Sequence, residues 1–475
     1  MNSKTSNEKS KSLSRRHFIG TSASLASFTI FPRYVLGGAN HTAPSDKLNI
    51  AAIGTGGRGM TNIRSLIGFK DVQISAICDI AEETDYSRFY YKGFGGRGPT
   101  KALIDNRYSS DEATKDYPEC EVYIDFMKML EKEKNIDAVM IATPDHNHTI
   151  TSLESIQRGK HVFCEKPLAR TVYEIRAITE AARKAGVATQ MGNQGHSGEG
   201  IRQTVEWIRD GVIGEIKEVH SWSNDFERMG CRSGRPKETP PVPKGMDWDL
   251  WLGVAPKRPY HLVYTPYTWR GWWDFGTGPL GDMACHNMDP AFWALDLKHP
   301  ESVEAHATGG SKETFPCAAI VYYQFPARDG KPPVKLTWYS GLMPPKPEEL
   351  GPGEDLVGRG NGILFVGEKG KIMCPGWAGD PSLLPHSLMK NYKRPAKTLA
   401  RSNGHYRDWV DACKGGKKAS SNFDYSSVLA EAVVLGNVSI GVGDKIYWDG
   451  DNMKATNCPA ADQFIKPIYH NGWKI

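Results

Sequence analysis

The stretch His161 to Ala169 (HVFCEKPLA) sets Glu165 and Lys166, an opposite-charge pair, directly before Pro167. Proline cannot continue a β-ladder, so an apolar strand over 161–164 stops there and delivers Lys166 at its carboxyl edge. Ligands of open α/β sheets sit outside that edge, where a lysine can meet a cofactor and a substrate together. Much later, Asp282 and His286 (GDMACHNMD) stand four residues apart on a stretch that reads as a helix running to Leu297, so both project from one face. A hydroxyl losing hydride needs its proton removed by a positioned base, and a carboxylate beside an imidazole can orient or tune that base. Taken singly, each group has a plain alternative: a surface ion pair for Glu165 and Lys166, and a helix-capping Asp282 with a structural His286.

A strand-end lysine does such chemistry only if the same edge holds a cofactor. The sequence LNIAAIGTGGRG runs from an apolar strand, Leu48 to Ile53, through Gly54, Gly56, Gly57, Arg58 and Gly59 into a helix-like stretch from Met60. This is GxGxxG in strand-turn-helix context, where glycines allow a tight turn and the helix start meets a pyrophosphate. A second strand, Val72 to Ile77, ends at Cys78-Asp79, and Asp79 follows Gly59 by 20 residues. A carboxylate there can bind the adenosine ribose hydroxyls and would repel a 2′-phosphate, which favours NAD over NADP.

The elements around these groups alternate. Helix Ile124 to Lys132, strand Ile136 to Ala142, helix Ile150 to Arg158, strand His161 to Cys164, helix Val172 to Ala185 and strand Val187 to Met191 predict a parallel, doubly wound sheet over 47–192. Tyr90 to Pro118 lacks periodicity and is expected to be a surface excursion. Strand 136–142 ends in Thr143-Pro144-Asp145-His146-Asn147-His148. A closed zinc site needs four ligands and no partners are evident, so no metal is expected, and cofactor contact or helix capping is assigned to Thr143, Pro144, His146 and His148. After Asn193, helix Ile201 to Asp210 leads to a second domain over 193–475. Its strand candidates are Glu215 to Trp222, Ser302 to Thr308, Ala318 to Phe325, Val334 to Tyr339 and Gly362 to Val366. Few helices separate them, which predicts an α+β domain with a mostly antiparallel sheet. Helices are expected around His405 to Cys413 and Tyr425 to Ile440, and an irregular polar stretch over Asp451 to Ile475.

Six of the 13 tryptophans fall between Trp222 and Trp273, with Tyr260, Tyr264 and Tyr267 among them. Aromatic faces stack on the C–H faces of sugars, so this stretch is a candidate carbohydrate cleft, with hydrophobic packing of a Pro-rich connection as the alternative. Arg270 and Trp272 (TWRGWWDFG) are its candidate substrate residues; Arg270 could equally pair with a cofactor phosphate.

The N-terminus reads as an address rather than as fold. Lysines precede SRRHFI at 14–19, and a mild apolar run to Phe31 follows, too short for a stable membrane anchor. SRRxFI resembles a twin-arginine signal, giving an expected leader over 1–38, a linker over 39–46, and a periplasmic or otherwise exported protein. Of 59 Lys and Arg and 54 Asp and Glu, residues 1–38 hold six and one, so the remainder is neutral and makes no electrostatic case for nucleic acid. The nine cysteines are scattered and never spaced as CxxC, which suggests neither zinc nor a disulfide framework.

AAIGTGGRG, the Cys78-Asp79 pair, ATPDHNH, CEKPLA and the Asp-x-x-x-His pair together resemble the glucose-fructose oxidoreductase, inositol dehydrogenase and rhizopine-catabolism (Gfo/Idh/MocA) family. The resemblance implies that Lys166, Asp282 and His286 surround the substrate carbon facing the nicotinamide, with Glu165, Thr143 and His148 near the cofactor; Asn193, just after the last strand of the first domain, is a further candidate cofactor contact. Many members carry Gly where this chain has Ala284, a departure that removes no catalytic group. The expected function is an exported NAD-dependent oxidoreductase taking hydride from a secondary hydroxyl of a sugar, cyclitol or glycoside, its cofactor retained through export. Two other readings stand beside it: a redox-neutral NAD-dependent glycosidase or lyase working through transient C3 oxidation, and a non-catalytic sugar-binding protein. Expected partners are the small-molecule carbohydrate, the twin-arginine translocation machinery and further copies of the chain, as a dimer or tetramer.

Overall fold

The structure, a computed structural model, describes residues 46–112, 114–115, 117–224, 234–351, 354–356 and 360–475. The leader expected over 1–38, and all but the last residue of the linker, lie outside the described residues.

Six strands, β1 (Leu48–Ile53), β2 (Val72–Cys78), β5 (Glu121–Tyr123), β6 (Ala138–Ile141), β7 (His161–Cys164) and β8 (Thr189–Met191), form one parallel sheet in the order β5-β2-β1-β6-β7-β8. β1, β6 and β7 are nearly fully buried, as expected of strands covered by helices on both faces. The order reverses beside β1, so the ends of β1 and β6 open a crevice at the carboxyl edge. The fold is therefore the α/β arrangement expected, with helices Arg58–Leu66, His148–Gln157 and Val172–Ala185 as crossovers.

The segment after Asp79 departs from expectation. Instead of an irregular excursion it carries a hairpin, β3 (Thr84–Asp85) with β4 (Phe94–Gly95), and a 13-residue helix, Arg97–Ser109. Its periodicity is blurred because a buried charge belongs to its inner face: Arg97 donates to the carbonyls of Asp79 and Gly245, both at 3.1 Å, while Thr100, Ile104 and Tyr108 pack inward.

The second sheet has nine strands. β9 (Ile216–Ser223), β10 (Ser302–Thr308), β11 (Ala318–Phe325), β12 (Val334–Ser340) and β13 (Asn361–Gly367) match the strand candidates, and β14 (Gly370–Pro375), β15 (Ser382–Leu384), β16 (Ile446–Asp449) and β17 (Lys454–Ala455) extend it at both edges. All its pairings are antiparallel except β9 with β12. β11 alternates half-buried and buried residues along its whole length, which is a sheet with one covered face. The 20-residue helix Phe423–Val442 is apolar and long enough to cross a membrane, yet it packs against helices Val172–Ala185 and Gly278–Asn287 in the core shared by the two sheets. The stretch expected as one helix to Leu297 is two, Gly278–Asn287 and Asp289–Leu295, broken at Met288 ahead of Pro290.

Candidate active site

Lys166 is fixed from both sides of the chain. β7 closes with Glu165 N–H donating to the Ile141 carbonyl (2.9 Å), and Leu168 and Ala169 are fully buried. Helix Val172–Ala185 then starts on a reciprocal capping box, Thr171 with Glu174, and stops at Gly186 with φ of 65°. A T-x-x-E start and a glycine stop are local signals worth about 0.5–2 kcal/mol for the cap alone, and they leave no slack between strand and helix. Glu165 turns the other way. Its Oε1 accepts from Arg58 Nε (3.2 Å), Asn62 Nδ2 (2.9 Å) and Gln194 Nε2 (3.1 Å), which ties the strand end to the helix of the glycine turn. Burial would raise the Glu165 carboxyl, but Arg58 and its other donors outweigh it and keep it below its ordinary value.

Lys166 Nζ donates to Asp282 Oδ1 and to the Asp282 carbonyl, both at 2.7 Å. Arg270 Nε donates to the same Oδ1 at 2.9 Å, and its guanidinium lies 4.2 Å from the Trp269 ring centre and 4.5 Å from that of Tyr267. Burial would raise the Asp282 carboxyl; the Lys166 and Arg270 cations overcome it and hold the group well below the carboxylate range. Asp282 is therefore an anion shared by two cations and does not bond to His286. The four-residue spacing does put both side chains on one cavity wall, but charge-assisted donors outcompete a neutral imidazole for the carboxylate. His286 is left alone: its Nδ1 is buried without a hydrogen-bond partner among the described residues. Burial, then the Lys166 ammonium, push its pKa well below the ordinary histidine value, so the ring is neutral.

One cavity of about 1050 Å³ connects this cluster to the glycine turn. Gly54, Gly56, Gly57, Arg58, Asp79, Thr143, Pro144, His148 and Glu165 line it together with Lys166, Arg270, Asp282 and His286. A dinucleotide suits this lining. Gly54 has φ of 81°, and a Cβ there would stand 2.7 Å from the Ala142 carbonyl, so the turn passes as close to the β6 end as the motif requires. The Thr143 hydroxyl is buried without a partner among the described residues, which leaves a polar group to meet a ligand. Asp79 accepts from the Thr55 and Ala81 amides at 2.7 and 3.0 Å, which orients its carboxylate at the cavity wall; burial nonetheless raises its pKa. His148 Nδ1 lies 2.8 Å from the Pro167 carbonyl and Nε2 2.9 Å from that of Thr143, so it staples the loop after β6 to the loop after β7. Burial opposes its protonation, but Cys164, Asp145 and the Pro167 carbonyl prevail and raise the pKa to about 10.

Four expected site residues do not line the cavity. Gly59 faces the strand instead, where any Cβ would collide with the Gly54 carbonyl oxygen, so its role is close packing of helix on turn. His146 is fully buried between the Trp251 and Phe275 carbonyls, and burial drives its pKa down to about 3. Asn193 is fully buried and donates to Asp289 Oδ2 at 2.9 Å, in a knot that also holds His196 and Tyr425. Trp272 is 1 % exposed and donates to the Val263 carbonyl; with Trp248, Trp251, Tyr264 and Phe275 it makes a closed aromatic core. The tryptophan-rich stretch is thus mostly packing, with Trp251 and Trp269 reaching the cavity from it. Among the described residues no cluster suited to a metal ion occurs, the His-x-His stretch included.

Other lining residues were not among the expected site residues. Asp145 accepts from the Thr277 hydroxyl (2.6 Å) and is fully buried in the cavity wall. Tyr86 comes from the hairpin after Asp79 and rests its hydroxyl against Gly56. Trp377, just beyond β14, is 57 % exposed at the cavity, 6.0 Å from the His286 ring and at 75° to it. It has φ of 59° and is followed by Ala378 at 55°, an uncommon pair of left-handed non-glycine residues, and its N–H is held by Asn287 Oδ1 at 3.0 Å.

Residues 48–193 match the family model of the oxidoreductase family with an NAD-binding Rossmann fold, GFO_IDH_MocA, and residues 203–330 match that family's C-terminal alpha/beta domain. Similar curated proteins include a 2,7-anhydro-N-acetylneuraminate hydratase of Escherichia coli, 34 % identical over 107 residues, which are 22 % of this chain and 29 % of the other. A glycosyl hydrolase family 109 protein of Stenotrophomonas maltophilia is 24 % identical over 237 residues, 50 % and 47 % of the two chains. The chain spans less than half the length of each of these relatives. Among solved structures, the WlbA dehydrogenase of Bordetella pertussis, in complex with NADH and UDP-GlcNAcA, shares the fold with a TM-score of 0.55 at 17 % identity over 85 % of this chain and 99 % of that one. With the glycine turn, Asp79 and the strand-end lysine on one cavity, and the two family models together matching more than half of its length, the chain belongs to the NAD-binding Gfo/Idh/MocA oxidoreductase family.

Proposed function

We propose that the protein oxidises a secondary hydroxyl of a sugar, cyclitol or glycoside, with His286 receiving the hydroxyl proton. The observation that carries this reading is the unpartnered, buried Nδ1 of a neutral imidazole in the cavity that also holds Lys166. A neutral imidazole keeps one ring nitrogen as an acceptor, which is what a base needs. Lys166 directs two N–H donors to Asp282, which leaves its third for the substrate oxygen. Asp282 and Arg270 position that ammonium. A bound nicotinamide supplies the hydride acceptor. The exposed Trp377 indole offers a flat apolar face to sugar C–H groups and takes the platform role expected of Trp272. A screen of sugars and glycosides for nicotinamide reduction, with a keto-sugar as product, tests the reading. Protein that holds NAD yet reduces it with no polyol or sugar would sink it.

The glycosyl hydrolase family 109 relative supports a second reading, in which oxidation is transient and a glycosidic bond is cleaved with no net redox change. Release of an aglycone or monosaccharide without accumulation of reduced cofactor would select it. Export through the twin-arginine route, with a retained cofactor, completes the proposal. It rests on SRRxFI and on disulfide-bonded Cys317, since such bonds persist in oxidising compartments. Cell fractionation of an Arg15→Lys, Arg16→Lys double variant tests it: cytoplasmic accumulation supports export by this route, and unchanged localisation refutes it.

A further inference from the structure

Beyond Asp79 the cavity runs on to an end that no sequence motif describes. One wall there is Phe126, at the start of the helix that follows β5, where the Asp125 side chain caps by accepting from Met127 N–H at 2.9 Å. Beside it lies Trp473, with ring centres 5.9 Å apart and planes within 16°. Trp473 is carried by a segment tied down at three points. His470 N–H donates to the Val254 carbonyl (3.0 Å), Asn471 Nδ2 donates to the carbonyls of Gly253 and Ala255 (2.8 and 2.9 Å), and the Tyr469 hydroxyl donates to Glu174 Oε1 (2.7 Å). The stretch that receives it is itself zipped to the cofactor turn, through Asp247 N–H to the Ile80 carbonyl (2.9 Å) and Glu82 N–H to the Gly245 carbonyl (2.8 Å). Two pieces of chain from outside the parallel sheet, 245–253 and 469–473, therefore cover this end.

The half of a dinucleotide that lies here is fixed by Asp79, whose carboxylate suits the adenosine ribose. Adenine has a flat π-face and stacks on aromatic side chains, and Phe126 and Trp473 are the aromatic pair at this end. We propose that Trp473 is the adenine-side latch of the cofactor site, held in place by Asn471, and that release of the dinucleotide requires 469–473 to lift. The proposal deepens the retained-cofactor reading above by naming the residues responsible.

The experiment loads purified protein with NADH, displaces it with excess NAD, and follows the loss of protein-bound NADH fluorescence. Reduced nicotinamide mononucleotide, which lacks the adenosine half, is titrated in parallel. Loss of one base-aromatic stack predicts that Trp473→Ala weakens and speeds release of NADH about 5- to 150-fold. Affinity for the mononucleotide stays at the wild-type value, Trp473→Phe restores most of the retention, and Asn471→Ala shows the same pattern as Trp473→Ala in smaller degree. Wild-type release from both Trp473→Ala and Asn471→Ala overturns the latch. So does an equal loss of mononucleotide binding, which marks a general structural defect. Rapid release from the wild type defeats the retained-cofactor reading alone, because the latch is read from the ratio of variant to wild type.

Discussion

The neutral state of His286 makes a prediction that needs no knowledge of the substrate. Its pKa is depressed by burial first and by the Lys166 ammonium second, while Asp282 pulls the other way. The sign for each neighbour follows. Lys166→Met removes a like charge and moves the His286 pKa up, toward but short of the ordinary value of about 6.5, because burial remains. Asp282→Asn removes the carboxylate that raises the His286 pKa and leaves the Lys166 and Arg58 cations acting on the ring, so the pKa falls further. Residues four apart on a helix have side chains about 6 Å from each other, where a unit charge at an effective dielectric near 20 is worth about 2–3 kcal/mol. Lys166 and Arg270 already share that carboxylate, so the drop is smaller than the bare interaction. Nitrogen-labelled histidine NMR on the two variants and the wild type reads these shifts directly. The kinetic counterpart is the acid limb of kcat/KM, which falls below the ordinary histidine pKa in wild type and moves in the same directions in the variants. His286→Gln loses the limb and about two to four orders of magnitude in single-turnover oxidation, or about 3–5 kcal/mol of barrier. A wild-type His286 that titrates at or above 6.5 refutes the reasoning, as do shifts of the same sign in Lys166→Met and Asp282→Asn.

Two tryptophans separate platform from core. Trp377→Ala should raise KM for sugars with little change in thermal stability, whereas Trp272→Ala should cost about 3–5 kcal/mol in urea unfolding. Asp79→Asn should weaken NAD binding by about tenfold or more and narrow the preference over NADP, as read by fluorescence titration. His148 is protonated more readily in the folded chain than in the unfolded one. Its stabilisation is complete below about pH 6.5 and is lost as pH rises toward about 10; the urea midpoint of His148→Gln should therefore depend less on pH over that range than the wild type does.

What could be read in the sequence is what chemistry confines to a short stretch. The glycine turn, Asp79 and Lys166 each lie at the end of an apolar strand, and Thr171 with Glu174 announces the helix that holds the lysine. Asp282 and His286 were legible as a pair on one face, but not their separation into an ion-paired carboxylate and a lone imidazole, because Lys166 and Arg270 arrive from 116 and 12 residues away. His146 and Asn193 sit in polar loops beside true cavity residues, and only the fold shows that their polar atoms are spent on Trp251, Phe275 and Asp289. Tryptophan density misled for a similar reason. An indole serves as core or as platform according to which face stays open, and the open one, Trp377, stands alone in a Gly-Trp-Ala turn with no aromatic neighbour in sequence.

The hydrogen bonds that bind Asn471 to Gly253 and Ala255 also have a meaning in the order of synthesis. Met191 completes the parallel sheet, and Trp473 is added only after another 282 residues, roughly 15–60 s later at ordinary elongation rates. For that interval the nascent chain carries a glycine turn and Asp79 without Trp473, and Trp409 and Val410, which complete the core of the same sheet, are missing for most of it too, so the cofactor end of the fold is finished late. A completed chain then takes up or releases its dinucleotide only as 469–473 lifts, which is the motion the NADH-release measurement reads.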